Sequence, residues 1–204
     1  MSKLNSFCGA LVGRRKTGKT FLTMQILRSG MFKKYNFEFI IILSPTLALQ
    51  PEPWKMITPQ GILIVNSLNE RLVQKVIKYQ KLKKPQDRKH ILIIGDDLGL
   101  QSRQTGQKAG GNILDYLAFA GRHHNISTIQ LCQKYAQMTP SYRSQLDWFF
   151  WAGSSNNREV SAVHQEYGDR DINSFRRKIN QTFTKEYAWL YFKNIGGKMV
   201  VTEL

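Results

Sequence analysis

The sequence has few of the features that mark a secreted, membrane-spanning or metal-bound protein. Its only two cysteines, Cys8 and Cys132, each lie in an apolar stretch. We therefore expect buried thiols in a reducing compartment, with a disulfide as the less favoured alternative. The longest apolar run, 39–43, is far too short to cross a bilayer, and the amino terminus has no apolar segment typical of a signal peptide. No residues have the spacing of a metal-ligand cluster, since the adjacent His123 and His124 would face different directions on a helix.

Acidic residues are also scarce. Lys and Arg number 30 and Asp and Glu 14, which gives a formal net charge of +16. A surplus this large on one domain indicates a polyanionic partner, and nucleic acid is favoured over an anionic membrane surface. The 204 residues are enough for one domain with a substantial core, and they leave little room for a second fold.

The sequence does contain a complete phosphate-binding motif, G-x-x-x-x-G-K-T, at residues 13–20. Glycines in such a loop let backbone N–H groups surround a β-phosphate, while Lys19 reaches the β- and γ-phosphate oxygens and the Thr20 hydroxyl ligates Mg²⁺. An apolar run precedes the motif and a helical pattern follows it, which is the context that the motif requires. We predict that ATP binds to the loop and the residue after it, namely Gly13, Arg14, Arg15, Lys16, Thr17, Gly18, Lys19, Thr20 and Phe21.

Short apolar segments alternate with helical patterns, which predicts an α/β fold with a mostly parallel central sheet flanked by helices. Strands are expected at 7–12, 39–43, 62–65, 91–94, 126–131 and 148–151. Helices are expected at 18–29, 69–82, 113–122, 156–167 and 171–183. Two more apolar segments, separated by Gly196 and Gly197, predict a hairpin. We therefore expect a single domain over residues 1–204 with a C-terminal hairpin at about 186–204.

A second group of residues has the chemistry that nucleotide hydrolysis requires. Asp96 and Asp97 follow the apolar segment 91–94, at the strand end where α/β sheets present ligands. We expect Asp96 to hold Mg²⁺ through water and Asp97 to orient the attacking water. The alternative is that the two aspartates only close a turn. Gln133 ends the next predicted strand and is a candidate sensor of the γ-phosphate.

Two arginines are candidates to complete the active site of a neighbouring subunit. Arg122 precedes the strand predicted at 126–131, and Arg143 follows it. Arginine suits this role because its guanidinium is permanently charged and carries its donors in a rigid fork. Each of the two is also explained as a surface or helix-capping arginine.

Together, these motifs resemble one family of molecular motors. The phosphate-binding loop, the Asp96-Asp97 pair, the segment 121–126 leading to Gln133, and the segment 140–143 are similar in order and spacing to the A32-like genome-packaging ATPases, a branch of the FtsK–HerA group. The resemblance covers roughly residues 5–155. It implies a RecA-like (ASCE) P-loop NTPase fold, in which the strand ending at Gln133 lies between the strand of the phosphate-binding loop and the strand of the aspartates.

The resemblance also implies an assembly and a role for each site residue. The expected assembly is a ring, with a hexamer favoured, whose ATP sites lie between subunits. Arg122 matches the trans-acting arginine of the family, with Arg143 as second choice, and Gln133 matches the sensor glutamine. Many FtsK–HerA motors carry Asp-Glu where this chain has two aspartates, which shortens the reach of Asp97, although A32-like members commonly carry Asp there. The strand at 62–65 exceeds the minimal core and is expected beside the sheet.

The implied function is ATP- and Mg²⁺-dependent translocation of double-stranded viral DNA into a preformed capsid. The implied partners are that DNA, further copies of the chain, and capsid portal or vertex proteins. The length and basic balance are similar to those of a member from a membrane-containing archaeal virus, which adds the internal membrane of the virion as a partner. The expected location is the host cytoplasm during virion assembly, or the virion itself.

Basic segments are the candidate contacts to DNA. Arg103 and Lys108 lie in the polar loop 99–112, directly after the aspartates, and are expected to touch phosphates; the alternative is a lid without DNA contact. The helix predicted at 69–82 has a basic face that continues to Lys89, and it is a candidate contact to DNA or capsid, or a solvated face. Two other functions stay open at this point: a nucleotide-switched DNA- or capsid-binding module with little turnover, and a small-molecule kinase.

Overall fold

The computed structural model of the chain describes residues 6–28, 36–45, 62–98, 111–168, 171–195 and 198–203. The strands are β1 (Cys8–Val12), β2 (Phe39–Leu43), β3 (Ile62–Val65), β4 (Ile91–Asp96), β5 (Ile126–Cys132), β6 (Trp148–Trp151), β7 (Leu190–Ile195) and β8 (Lys198–Glu203). The helices are α1 (Lys19–Arg28), α2 (Glu70–Lys81), α3 (Gly111–Ala120), the single turn α4 (Pro140–Arg143), α5 (Asn157–Tyr167) and α6 (Ile172–Thr182). Short 3₁₀ turns are formed by Pro85–Asp87, Gly121–His124 and Tyr135–Gln137.

Within the described residues, eight strands form one sheet in the order β3-β2-β4-β5-β1-β6-β7-β8. The strands from β3 to β6 in that order are parallel, whereas β7 pairs antiparallel with both β6 and β8. The parallel strands are nearly continuous apolar runs because both faces of the sheet are covered. The predicted α/β fold with a mostly parallel sheet is confirmed.

The strand order also confirms the expected position of the strand that leads to Gln133. β5 lies between β1 and β4, with Val12 opposite Cys132 and Asp96 opposite Leu131. β3, expected beside the sheet, is the edge strand of the same sheet and pairs with β2. β7 and β8 form an antiparallel hairpin that extends the sheet beyond β6.

Alternate residues of each strand pack on opposite faces of the sheet. In β1, Ala10 and Val12 belong to one apolar cluster and Leu11 belongs to the other. Of the described helices, α2, α3, α5 and α6 cover the first cluster, and α1 packs on the second. Burial of these two clusters fixes the order of the strands, and therefore fixes which strand ends lie side by side.

The two cysteines are buried free thiols, as expected. The alternative of a disulfide between them is wrong. Cys8 lies opposite Thr128 on β5, and Cys132 lies further along the same strand. The separation from Thr128 to Cys132 along β5 is about 13 Å at 3.3 Å per residue, well beyond the reach of a disulfide bond.

One helix boundary differs from the prediction in a way that affects the site. The helix expected at 113–122 ends before Gly121, and Arg122 lies in the 3₁₀ turn that follows α3. A Cβ on Gly121 would lie 2.7 Å from the carbonyl oxygen of Ile126, so the close approach of the turn to β5 requires glycine. Asn125 ends the turn in the left-handed conformation, with φ at 54°.

Two further observations concern membrane-spanning segments and the expected DNA contacts. In the described part of the chain, no helix is both long enough and apolar enough to span a membrane. Arg103 and Lys108, the expected DNA contacts, lie outside the described residues.

Candidate active site

The phosphate-binding loop connects the carboxyl end of β1 to the amino end of α1. The Gly13 N–H donates to the Cys132 carbonyl at 3.0 Å, so the loop starts against the end of β5. Lys16 and Gly18 have φ values of 65° and 83°, and these left-handed conformations curl the chain back on itself. α1 begins at Lys19, and the free N–H groups of its first turn face the loop. The loop and the helix terminus together form an anion site.

The Lys19 side chain lies inside the loop. Its Nζ donates to the carbonyl oxygens of Gly13 at 2.6 Å and Arg14 at 3.0 Å. Burial lowers the pKa of Lys19, and the negative charges of Asp96 and Asp97 partly oppose that shift. The ammonium group therefore lies within electrostatic reach of both aspartates, and the loop and the carboxylates belong to one site.

Two side-chain hydrogen bonds hold the loop in place. Thr17 Oγ1 donates to the Arg14 carbonyl at 2.8 Å, which closes the loop on itself. Arg14 Nη2 donates to Ser155 Oγ at 2.8 Å, which joins the loop to the segment after β6. Both bonds order the loop before any ligand arrives, so less entropy is lost when a phosphate binds.

The remaining predicted loop contacts differ in exposure. Arg15 and Lys16 are exposed, and the Phe21 side chain is 61% exposed. Thr20 is half-buried at the second position of α1. A hydroxyl at this position lies in the helix turn that faces the phosphates, as the motif requires for a Mg²⁺ ligand.

β4 ends at Asp96, which lies at the same carboxyl ends of the parallel strands as the loop. The strand runs two residues further than predicted because Gly95 and Asp96 still pair with β5. Ser44, at the end of β2, donates from Oγ to Asp96 Oδ2 at 3.1 Å. Burial raises the pKa of Asp96 against the opposing effect of the Ser44 hydrogen bond, and the charge of Asp97 adds to the rise. A buried carboxylate of this kind gains stability from a cation beside it.

Asp97 follows β4 and joins it to the end of β5. It adopts a left-handed conformation with φ at 52°, and its N–H donates to the Leu131 carbonyl at 3.1 Å. Gln133 Nε2 donates to Asp97 Oδ2 at 2.5 Å. The second carboxylate oxygen, Oδ1, is buried and accepts no hydrogen bond from any residue that the structure describes. The protein therefore fixes one oxygen of Asp97 and leaves the other with its hydrogen-bonding capacity unused by the described residues.

Arg122 lies at the amino ends of the parallel strands, whereas the phosphate-binding loop lies at their carboxyl ends. It precedes β5, whereas the loop follows the parallel strand β1. From its first residue to its fifth, β1 alone spans about 13 Å at 3.3 Å per residue. The Arg122 side chain is exposed, and its Nη2 donates to Gln145 Oε1 at 3.2 Å. A folded subunit therefore cannot bring this arginine to its own loop.

The turn that carries Arg122 is held by hydrogen bonds from α2 and the segment after it. Gln80 is fully buried, and its Nε2 donates to the carbonyl oxygens of His124 at 2.7 Å and Lys89 at 2.6 Å. Arg88 donates from Nη1 to the His123 carbonyl. These bonds fix the turn against the body of the subunit, so Arg122 projects from a rigid base.

Arg143 is engaged inside its own subunit. Its Nη2 lies 2.9 Å from Glu166 Oε1, and its Nε donates to Glu166 Oε2 at 3.2 Å, which makes a bidentate ion pair. Its Nη1 donates to the Met138 carbonyl at 3.1 Å, and the guanidinium carbon lies 4.7 Å from the centre of the Tyr135 ring. The side chain is only 15% exposed. These contacts explain Arg143 as a stabilising residue of the fold.

Comparisons with known proteins identify the family of the chain. The model of the family described as Poxvirus A32 protein matches residues 3–180. The chain belongs to that family. The comparison with curated proteins gives no significant match. The resemblance to A32-like ATPases, drawn from the motifs, is thus confirmed by a match that extends well beyond them.

Solved structures share the fold of this A32 family member. The genome packaging NTPase B204 from Sulfolobus turreted icosahedral virus 2, in complex with AMP, has a TM-score of 0.67 at 17% identity over 96% of each chain. The DNA-packaging ATPase B204 from Sulfolobus turreted icosahedral virus has a TM-score of 0.69 at 16% identity, over 97% of this chain and 98% of that one. EssC (ATPases 2 and 3) from Geobacillus thermodenitrificans has a TM-score of 0.61 at 13% identity, over 96% of this chain and 39% of that one. At these identities the likeness establishes the P-loop ATPase fold.

The two adjacent histidines have separate surroundings. His123 is exposed, whereas His124 is 9% exposed and stacks on Tyr116 with ring centres 6.5 Å apart. Burial lowers the pKa of His124, and the charges of Lys81 and Arg88 act in the same direction. The described part of the chain contains no group of three or more His, Cys, Asp or Glu side chains placed to bind a metal.

Sequence reasoning missed Ser44, which bonds Asp96. The only signal was a polar residue directly after the apolar run of β2. That signal becomes meaningful once β2 is known to lie beside β4, because the ends of adjacent parallel strands then meet.

Proposed function

We propose that this A32 family member is an ATP-hydrolysing motor that moves double-stranded viral DNA into a preformed capsid. The observation that carries the proposal is the convergence of Lys19, Asp97 and Gln133 at the ends of three adjacent strands. Family membership and the fold shared with two viral genome-packaging ATPases support the packaging role. The net charge of +16 supports DNA as the partner.

The loop would bind the triphosphate, and two oxygen donors fit a magnesium ion beside it. Mg²⁺ prefers oxygen ligands, and the Thr20 hydroxyl and the Asp96 carboxylate are the donors at this edge. The raised pKa of Asp96 fits the same assignment, because a nearby cation removes the cost of ionising a buried carboxylate. When bound, Mg²⁺ neutralises charge on the β- and γ-phosphates.

Asp97 would act on the attacking water. Its free Oδ1 accepts a hydrogen bond from the water, while the bond from Gln133 prevents rotation of the carboxylate. The water oxygen attacks the γ-phosphorus while Asp97 accepts the proton that the water loses, the bond to the β–γ bridging oxygen breaks, and ADP and inorganic phosphate form. Gln133 would also sense the γ-phosphate, and a movement of its side chain would be passed to the end of β5.

Arg122 would complete the site of a neighbouring subunit in a ring, with six subunits as the proposed number. Its exposure and its position at the amino end of β5, far from the loop of its own subunit, support action in trans. Arginine at such a site stabilises the charge of the transition state. Arg143 is less suited to the role because its donors are already used within the subunit.

The motor would contact DNA through basic segments and the virion through other partners. Arg103 and Lys108 remain proposed phosphate contacts on the segment that follows the catalytic aspartates. Capsid portal or vertex proteins and the internal membrane of the virion are the proposed further partners. The proposed site of action is the host cytoplasm during virion assembly, with retention in the virion as a further part of the proposal.

The experiment that tests this function is an ATPase assay with and without double-stranded DNA, over a series of protein concentrations. We expect specific activity to rise with both DNA and protein concentration, because the site needs a neighbour and the cycle is coupled to DNA. Negligible turnover under all conditions would instead identify a nucleotide-switched binding module. Rapid phosphate transfer to a small acceptor, without DNA, would identify a kinase.

A second measurement tests the DNA partner directly. We expect affinity for two unrelated duplexes to be equal and to fall linearly with salt on a logarithmic plot, because binding to phosphates releases counterions. A flat salt dependence, or a strong preference for one duplex, would contradict a motor that tracks the DNA backbone.

A further inference from the structure

An exposed tyrosine lies over the phosphate-binding loop. The Tyr187 side chain is 69% exposed, and its Cδ1 would lie 3.5 Å from a Cβ placed on Gly18. Its ring therefore packs beside the last glycine before α1. The side chain is open to solvent and lies within a few ångströms of the anion site, so a ligand bound to the loop could reach it.

The backbone holds Tyr187 in an unfavourable conformation. Its φ is 58°, a left-handed value that is rare for a bulky side chain. The next residues, Ala188, Trp189 and Leu190, are buried and lead into β7, so the fold maintains this conformation. Backbone strain of this type clusters at ligand sites.

Tyr187 and Phe183 both line a cleft of about 270 Å³. The Phe183 ring is packed against Gly153, where a Cβ would lie only 2.4 Å from Cε2, and it meets Trp151 edge-on. Lys16 and Thr17 of the phosphate-binding loop line the same cleft. The cleft is thus continuous with the loop and has two aromatic side chains.

The strand order indicates which end of a nucleotide the cleft receives. Asp97 and Gln133 follow β4 and β5, which lie on one side of β1. The cleft lies on the other side, where it is lined by residues that follow β6 and precede β7. A γ-phosphate within reach of Asp97 leaves the nucleoside to extend in the opposite direction. The lining includes the charged residues Lys16, Lys185 and Glu186. Its aromatic members, Phe183 and Tyr187, offer flat apolar faces of the kind on which a nucleobase stacks.

We propose that Tyr187 stacks on the base of the bound nucleotide, with a purine as the preferred class. This inference rests on the proposed function, because it assumes that the triphosphate occupies the loop. Every base offers a π-face, and a purine offers the larger one. Tyr187 is then a binding residue for the nucleoside, and the loop binds the phosphates independently of it.

The test compares ATP with inorganic tripolyphosphate, which has the phosphates and no base. Equilibrium affinities for both are measured without DNA for the wild type, Tyr187→Ala and Tyr187→Phe. Tyr79→Ala is the matched control, since Tyr79 is a 46% exposed tyrosine on α2. We expect Tyr187→Ala to weaken ATP binding about ten- to a hundredfold, to leave tripolyphosphate binding unchanged, and Tyr187→Phe and Tyr79→Ala to resemble the wild type.

Each other outcome has a distinct meaning. Unchanged ATP affinity in Tyr187→Ala overturns the stacking role, and so does an equal loss for ATP and tripolyphosphate, which would show that the tyrosine only supports the loop. If the wild type binds both ligands with the same affinity, the base contributes nothing and this inference falls while the loop assignment stands. If the wild type binds neither ligand, the proposed function and the inference fall together.

Discussion

Gln133 Nε2 and Asp97 Oδ2 are 2.5 Å apart, so the side chain after β5 holds the carboxylate after β4. The contact orients Asp97, and the other carboxylate oxygen, Oδ1, is buried without a hydrogen-bond partner among the described residues. The negative charges of both aspartates also act on the pKa of Lys19. The residues proposed to bind phosphate, orient water and sense the γ-phosphate thus lie at three neighbouring strand ends.

Asp97→Asn should retain Mg·ATP affinity and lose turnover, by about 10²- to 10⁴-fold if Asp97 accepts the proton of water. Asparagine has nearly the same shape but cannot act as a base. Gln133→Ala should reduce kcat less, because the carboxylate remains and only its orientation is lost. Single-turnover ATPase and nucleotide-binding assays measure both effects, with the exposed Asp87→Asn as control. Normal hydrolysis by Asp97→Asn would show that the roles are misassigned.

Lys19→Ala should abolish nucleotide binding or turnover and leave the fold intact. Lys19 Nζ donates to two loop carbonyls and interacts with the aspartates by charge, so we expect its role to be electrostatic rather than one of packing. The kcat/KM for ATP measures the loss of activity, and the circular dichroism spectrum shows whether the fold is intact. Lys193→Ala, an exposed lysine on β7, is the matched control. An unchanged kcat/KM in folded Lys19→Ala would contradict the loop assignment.

Asp96→Asn should make the protein more stable at neutral pH when neither nucleotide nor Mg²⁺ is present. Since burial raises the folded-state pKa of Asp96 above the unfolded value of 3.8, the folded state retains a proton that the unfolded state has lost. Stability therefore falls as the pH rises through the interval between these two values. Asparagine avoids that loss and can still accept the Ser44 hydrogen bond.

The measurement is the difference in Tm between Asp96→Asn and the wild type at pH 4 and pH 7. We expect the difference to be larger at pH 7, by about 2–4 °C for each kcal/mol of stability gained. In the presence of nucleotide, the variant should also show a weaker dependence on Mg²⁺. A difference that is the same at both pH values would show that ionisation of Asp96 costs nothing.

Arg122→Ala should bind ATP normally and lose turnover by about 10³-fold or more. Mixing it with Lys19→Ala should restore some activity, since an intact loop in one subunit then meets an intact arginine from another. Arg158→Ala, another exposed arginine, is the control and should remain active. If each variant is inactive alone and the mixture stays inactive, Arg122 does not act in trans. Arg143→Ala would then be tested, with loss of stability expected from its ion pair with Glu166.

The two thiols should resist modification in the folded protein. Cys8 and Cys132 are 4% and 8% exposed, and burial raises the pKa of each to about 12, so almost no thiolate forms at pH 8. A thiol reagent should label neither cysteine in the native protein and both in guanidinium chloride. Rapid labelling under native conditions would show local opening of β1 or β5.

The phosphate-binding loop is predictable from the sequence because all of its parts are contiguous. Gly13 to Thr20 are consecutive residues and form the loop by themselves. The flanking apolar strand and helix are visible as local patterns. The strands were also predictable, since a run buried on both faces must be apolar throughout. Asp96, Asp97 and Gln133 were predictable for the same reason, as polar residues that follow apolar runs in the sequence.

The contacts between these elements depended on the tertiary structure. Asp97 and Gln133 are 36 residues apart in the chain, and Ser44 and Asp96 are 52 apart, so neither pair is visible as a local pattern. They meet because packing of two apolar faces sets the strand order, with β2 and β5 on either side of β4. The same packing separates Arg122 from its own loop and brings Tyr187 to Gly18. Local sequence determined which groups are present, and the burial of the sheet decided which of them act together.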